Sequence, residues 1–541
     1  MKRIWIDLGE LGLFLKHCPD TTATWQDHGL GLLRTIMHRA GVQSDVATVR
    51  NMANWEEAAK VLNGYDMLLM NVRSYTFAQA RKVAAIFKEV NPSGLVLVGG
   101  MHATVALEEM VADPCFDHIC QGAGEQTIVG LSTNPSAYPR VIKGQGAMKM
   151  GDWPHIDRTL WPVPKGIFPG PPAALGTIGQ RISKLMRRNY PHPLEPAIRE
   201  WGPGPMVSIL TSRVCPWRCS FCNEASYIPA LERKPAEQVV EELNWQDQHH
   251  GPIGSVVIHD SMFFQQPSWL EEWAEVYPSK ARKVWPYWAA ARADTVRRWP
   301  DLFSLLVKQT NWQTISLGLE SGSNRTLKTL NKECTAHDNL FAILKVNELG
   351  RGLEAQGRRA PRIFSNLMFG IPGETREDAM DTLRMLSCIR HPLPSFAYYA
   401  PYPGSALGYQ IIAEGKSLMA KGDHMRYAGN HYVSGVDYSF FEAAVRGGHA
   451  DEAARTRESW MQRVTGGTPT MEPLASFHKT QHLYLFALKS GKNRLSYGVD
   501  PADAIETLKL RLDSRELDEI DTNSSQRIHQ SKLHEIKHTL A

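Results

Sequence analysis

Apolar positions along the chain come in short runs that alternate with longer stretches of helical spacing. The first run, RIWIDLG from residue 3, reads as a strand. GLGLLRTIMHRAG then repeats its apolar residues at helical intervals and stops at Gly41. DMLLMNV is another clear strand. FAQARKVAAIFKEV returns to helical spacing, and Pro92 and Gly94 break it before the strand LVLVGG. This rhythm over residues 3 to about 130 predicts a parallel, doubly wound sheet.

Residues 150 to 204 break the pattern with Pro- and Gly-rich stretches (IFPGPPAALGTIG, NYPHPLEP, EWGPGP) and read as a linker. The linker carries one basic helix, RISKLMRR, expected as a solvated or domain-bridging face. A second alternating series begins at residue 205. Its candidate strands are MVSILTS, SVVIHDS, YWAAARA, TISLGLE, IFSNLMFGI and SFAYYAP, with helical stretches between most of them. Six strand–helix units in a row predict a barrel or partial barrel with its active site at the C-terminal strand ends. Beyond about residue 410 the pattern becomes irregular and then mostly helical. The expected division is therefore 1–149, a linker 150–204, a barrel 205–410 and a segment 411–541 with a possible role in substrate specificity.

Composition narrows the class. At 541 residues several domains are expected, and 43% apolar with 21% charged residues suits a soluble globular chain. Runs such as SGLVLVGGM are too short to span a bilayer. The opening MKRIWIDLGELG has acidic residues where a signal peptide has its apolar core, so a cytoplasmic protein is expected. A net charge of +4 is too small to argue for a nucleic-acid partner. Of eight cysteines, Cys18, Cys115, Cys120, Cys334 and Cys388 are scattered and read as small buried residues in a reducing compartment.

The other three, Cys215, Cys219 and Cys222, are clustered in TSRVCPWRCSFCNEA as C-x3-C-x2-C, just after the first strand of the second series. A structural zinc site takes four closed ligands, and a four-iron cluster normally takes four cysteines. Three thiolates leave one iron with an open position for a small molecule. The triplet, with Phe221 before Cys222, resembles the cluster motif of radical S-adenosylmethionine (SAM) enzymes. The resemblance implies a [4Fe-4S] cluster whose open iron is chelated by the amino and carboxylate groups of SAM. One electron, from a donor such as flavodoxin or ferredoxin, then cleaves the sulfonium to a deoxyadenosyl radical.

Further matches follow in order. HDSMF (259–263) resembles an acidic motif after strand two; Asp260 and Phe263 fit, and Ser261 departs from it. ARADTV places Arg292 and Asp294 at the end of strand three. In LGLESGS (317–323), Glu320 and Ser321 resemble residues that contact the ribose or amino-acid part of SAM. MFGIPGET (368–375), with Gly370 and Pro372, resembles the segment whose backbone lies against the adenine. PYPGS (401–405) resembles the turn after strand six.

The first domain resembles the Rossmann-like cobalamin-binding domain of a large radical SAM branch, through VGGMHATVALEEM (98–110) and DHICQGAGEQTI (117–128). There Gly99 and Gly100 would allow close approach to the corrin or its tail. The Gly122-Ala123-Gly124-Glu125 turn would leave room for the tail, although relatives usually carry Glu where Ala123 stands. In NVRSYT (71–76), Asn71, Arg73 and Ser74 would face the lower side of the corrin. The Asp-x-His-x-x-Gly pattern, source of a histidine cobalt ligand in many cobalamin proteins, does not occur in the sequence. His102, in the glycine turn, is expected in a structural or tail-contacting role. A sheet that has lost cobalamin is the alternative.

The whole resemblance covers residues 3 to about 410. It implies an α/β chain with a cobalamin-binding sheet, a six-unit partial TIM barrel and a mostly helical C-terminal segment. The activity it favours is methylation of an unactivated carbon of a small molecule or natural product. In that scheme one SAM supplies the methyl group to cobalamin and a second supplies the radical. The rival is oxidative cyclisation or rearrangement with the same cofactors. An RNA-modifying enzyme would bring a second cysteine cluster and a basic module, and the sequence has neither. A SAM- or cobalamin-sensing binding protein would need no reducible cluster.

Overall fold

The computed structural model describes residues 1–9, 11–12, 27–144, 148–156, 206–213, 215–226, 232–249, 253–426, 430–445 and 448–467. The basic stretch RISKLMRR and the chain beyond residue 467 lie outside these.

Six strands form the first sheet: β1 (Arg3–Asp7), β2 (Asp45–Thr48), β3 (Met67–Asn71), β4 (Leu95–Gly99), β5 (His118–Gln121) and β6 (Val141–Lys143). Their order is β2-β1-β3-β4-β5-β6 and every pairing is parallel. Alternate residues serve opposite faces, as the pleat requires. Ile4, Ile6, Leu68, Met70, Val96 and Val98 enter one apolar core, whereas Trp5, Met67, Leu69 and Leu97 enter another. Burial on both faces explains why these strands read as unbroken apolar runs. The chain reverses direction across the sheet between β1 and β3, which leaves a crevice at the C-terminal ends of those strands.

The second sheet is also parallel. Its strands are β7 (Met206–Ile209), β10 (Ser255–Ile258), β11 (Tyr287–Ala291), β12 (Trp312–Glu320), β13 (Arg362–Phe369) and β14 (Pro392–Tyr398), side by side in sequence order. This is the expected six-unit half-barrel. Between β7 and β10, Ser212–Arg213 (β8) pairs antiparallel with Glu232–Arg233 (β9) and ties off the base of the cysteine loop. Phe263 is fully buried among Trp269, Trp273, Tyr287 and Trp312, with ring centroids at 5.9, 6.3, 5.8 and 5.4 Å. It is a core residue below the strand ends.

The helices Ser439–Val445 and Ala450–Thr465 continue the half-barrel core through Phe441, Ala444, Ala453, Trp460 and Met461. Trp460 is fully buried, and its Nε1 donates to Gly322 O at 3.1 Å. No described helix is long and apolar enough to cross a membrane.

Trp460→Ala removes a buried ring and a hydrogen bond, so it should destabilise the half-barrel by about 3–5 kcal/mol. A drop in the urea midpoint of the full-length protein would register this. An unchanged midpoint would mean the C-terminal helix is not part of the core.

Candidate active site

The cysteine loop is fastened by backbone contacts to two neighbours. Ser220 N donates to Leu330 O (2.9 Å), and Ser220 O accepts from Leu407 N (2.8 Å). Asn331 Nδ2 donates to Arg218 O (2.8 Å). Phe221 packs against the apolar group of Leu330, Ile371, Tyr399 and Leu407, which joins the loop to the ends of β13 and β14.

Cys219 is buried, and Arg292 Nη1 lies 3.7 Å from its sulfur. Arg292 is itself fixed on three sides. Its guanidinium stacks 3.8 Å above Trp217, Nε meets Asp294 at 2.9 Å, and Nη2 donates to Lys332 O. Lys332 Nζ reaches Glu320 Oε1 at 3.2 Å. Burial alone would lower the Lys332 pKa, but Glu320 and Cys219 outweigh it and the pKa stands above its ordinary value. Glu320 sits at a bulge that ends β12, with φ of 59°. Burial pushes the Cys215 thiol up and the Cys222 thiol to about 12, with Glu224 adding to both. Burial thus opposes ionisation of these sulfurs, and a metal centre would supply the positive charge that offsets it.

Several expected residues prove to brace this loop. Asp260 accepts from Thr211 N (2.7 Å), from Thr211 Oγ1 and from Ser212 N (3.0 Å), holding the turn that enters the loop. Its carboxyl is fully buried, and burial raises its pKa despite Arg233. Ser321 Oγ meets Thr382 Oγ1 at 3.0 Å and accepts from Ser323 N at 3.1 Å, so this hydroxyl faces helix Arg376–Leu386. Gly370 has φ of 70°, and a Cβ there would stand 2.6 Å from Tyr438. Pro372 is half-buried in the same turn. Glu374 follows it and accepts from Ile371 N at 3.2 Å, while its Oε1 is shielded without a hydrogen-bond partner.

The other expected residues gather at the C-terminal edge of the first sheet. Asn71 ends β3, and its Nδ2 donates to Asp27 Oδ1 at 2.6 Å; Arg73 pairs with Asp27 at 3.7 Å. Gly99 ends β4, where a Cβ would meet Cys120 at 3.5 Å, and Gly100 has φ of 101° with Asn71 Oδ1 2.0 Å from a would-be Cβ. Gly122 has φ of 89° and open space beside it, and Gly124 lies over Leu33. Ser74 Oγ is 3.2 Å from His102 Nδ1. Glu125 turns to the half-barrel and pairs with Arg213 at 3.1 Å; Arg213 also holds Glu232 and Met148 O. The rings of His28, at the start of the helix after β1, and His259, just after β10, lie 5.7 Å apart. The C-terminal edges of the two sheets thus face one another.

Sequence reasoning missed Asp27, Arg213, Trp217, Lys332 and Glu374. Asp27 had a signal, since it stands just before a helical pattern and caps it by accepting from Leu30 N at 2.9 Å. Lys332 had none.

Comparison with known proteins places this geometry. Residues 209–386 match the sequence model of the family described as "Radical SAM superfamily". Over 393 residues the chain is 24% identical to "Uncharacterized methyltransferase PH0819" of Pyrococcus horikoshii, covering 71% of this chain and 78% of the relative. It is 25% identical over 388 residues to the "Anaerobic magnesium-protoporphyrin IX monomethyl ester cyclase" of Rubrivivax gelatinosus, covering 69% of this chain and 64% of the relative. In the latter case the match spans less than two thirds of the relative's length. Among solved structures, "Cobalamin-dependent S-adenosylmethionine radical enzyme OxsB" with aqua-cobalamin and SAM bound aligns over 94% of this chain and 83% of its own. The TM-score is 0.53 and the identity 12%, a likeness of fold.

The donor set fits the cluster that this family implies. Three thiols in one loop, with Arg292 beside Cys219, suit a cluster in which each thiolate takes its own iron.

The pKa of Glu374 supplies a test of this neighbourhood. Burial lifts it from 4.5 to about 8, so the folded chain keeps a proton that an unfolded chain has lost. Stability therefore falls as pH rises from about 4.5 to about 8. Glu374→Gln has no such proton and should flatten that part of the curve. Melting temperatures of both proteins across this range would show it, and parallel curves would contradict the assignment.

The cysteine loop and the half-barrel strands from β10 to β13 lie within the stretch that matches the radical SAM model.

Proposed function

We propose that the chain is a cobalamin-dependent radical SAM enzyme that methylates an unactivated carbon of a small molecule. The observation that carries this reading is the opposition of the two C-terminal sheet edges, held by the Glu125–Arg213 pair. Groups bound at the two edges would share one space, as transfer between them requires. When bound, the cluster and SAM supply a radical that abstracts hydrogen, and cobalamin supplies a carried methyl group. The likeness to a protein named as a methyltransferase, PH0819, and to a cobalamin-dependent SAM radical enzyme, OxsB, supports the two halves of this reading.

The chain's own residues position and shield these groups. Cys215, Cys219 and Cys222 would hold the cluster, with Arg292 and Lys332 balancing the charge beside Cys219. Glu320, at the mouth of β12, would face the polar end of SAM. The turn at Gly370 and Pro372 would give backbone to the adenine. At the other edge, the open space beside Gly122 suits a bound group, whereas Gly100 packs tightly on Asn71 and Val72. His102 is fully buried, with Nδ1 on Ser74 and Nε2 4.0 Å from Glu109. A flavodoxin- or ferredoxin-type donor would supply the electron.

The second reading is oxidative cyclisation, favoured by the match to the Rubrivivax cyclase. The mass of the product separates the two. Anaerobic protein loaded with both cofactors and given a metabolite extract should add one methylene to its substrate. It should form S-adenosylhomocysteine, deoxyadenosine and methylated product in equal amounts. Cys219→Ala should abolish both deoxyadenosine and product. Loss of hydrogens without added carbon would favour cyclisation. Near-normal SAM cleavage by Cys219→Ala would overturn the radical chemistry itself.

A further inference from the structure

Behind the glycine turn of the first sheet, a group with metal-ligating chemistry is left unused by the proposed reaction. His102 lies in the short helix Met101–Val105, Glu109 in the next helix, Leu107–Ala112, and His424 in the segment that follows the half-barrel. One ligand atom from each lies within 4.8 Å of the other two. His424 Nε2 stands 2.9 Å from Glu109 Oε2, and His102 Nε2 stands 4.0 Å from the same oxygen. Both histidines are buried and Glu109 is partly exposed, so the group reaches solvent at Glu109.

Protein contacts alone satisfy this group poorly. His102 Nδ1 is engaged with Ser74 Oγ at 3.2 Å. If that nitrogen donates, Nε2 turns a lone pair toward the Glu109 carboxylate, and two acceptors face each other. His102 Nε2 has no hydrogen-bond partner, although the residue is fully buried. His424 meets the same carboxylate through Nε2 at 2.9 Å, so the unsatisfied nitrogen facing Glu109 is His102 Nε2. A cation among the three resolves the conflict, because it takes the lone pairs of both imidazoles and the charge of the carboxylate. Nitrogen and oxygen ligands at about 2.1 Å from a tetrahedral ion stand about 3.4 Å apart, between the two measured separations. The Ser74 contact is also the kind of outer support that fixes the tautomer of a metal-bound histidine. Lys421, which acts electrostatically on Glu109, is the charge such an ion would compete with.

We propose that His102, Glu109 and His424 form a binding site for one divalent first-row metal ion of the zinc type, open at its fourth position. The ion would pin the segment around His424 onto the first domain. That segment already touches it where Tyr409 OH donates to Val105 O at 2.7 Å and where Gly404 packs on Val105. The proposal does not depend on the SAM or cobalamin chemistry.

The test is a zinc titration against a chromophoric chelator, using full-length protein with its cluster in place so that the cysteines are occupied. The wild type, stripped beforehand with chelator, should take up one zinc ion per chain with a rise in melting temperature. Glu109→Gln and His424→Gln should bind zinc more than about 100-fold more weakly, with iron content unchanged. Cobalt(II) in the same site should give the absorption of a low-coordinate nitrogen and oxygen site in the wild type alone. Failure of the wild type to bind zinc at micromolar free concentration would overturn the proposal whatever the variants do. Equal zinc affinity in wild type and both variants would also overturn it.

Discussion

Burial makes a thiolate costly unless positive charge stands beside it, and Cys219 is where this half-barrel meets that cost. Arg292 reaches the sulfur from the end of β11, and Lys332 acts on it from the loop after β12. Each cation is held in turn, Arg292 by Trp217, Asp294 and a carbonyl, Lys332 by Glu320. Two strand ends and two loops are thus arranged around the charge of one sulfur. The same pairing places Glu320 at the mouth of the barrel, where a cationic or zwitterionic ligand would meet it. The protein matches buried charges in pairs here because one left alone would be several kcal/mol worse.

Parallel topology does the rest. Crossover connections put every strand's C-terminal end on one edge, so each sheet collects its loops at one side. Facing those two edges requires contacts that no single sheet can make. Arg213 provides them, since it joins Glu125 and Met148 O, on the side of the first sheet, to Glu232 at the base of the cysteine loop. Asp260 performs a related task within the half-barrel by holding Thr211 and Ser212. Burial raises the pKa of both carboxyls.

Legibility in the sequence followed from how local each cause was. The half-barrel strands were readable as short apolar runs between helical patterns; β10 and nearly all of β12 are buried on both faces, whereas β11 and β13 alternate buried and half-buried residues. DVAT and VIK were not, since β2 and β6 are short edge strands with polar residues. The cysteine spacing is local and was readable, as were Arg292 and Glu320 at strand ends. Lys332 was not, because tertiary contact alone selects it among many loop lysines. Asp260 and Glu125 were found as positions, yet their hydrogen bonds belong to the scaffold. The helices Ser439–Val445 and Ala450–Thr465 read as helical, but amphipathic spacing does not say which core a helix will join.

The central claim is that three thiolates hold a cluster whose remaining iron is open to SAM. Electron–nuclear double resonance of the reduced cluster, with SAM labelled at its amino nitrogen and carboxylate oxygen, reads this directly. The account predicts hyperfine coupling from both labels to the cluster spin in the wild type. A cluster that shows neither coupling, with a fourth protein ligand on the last iron, would contradict it.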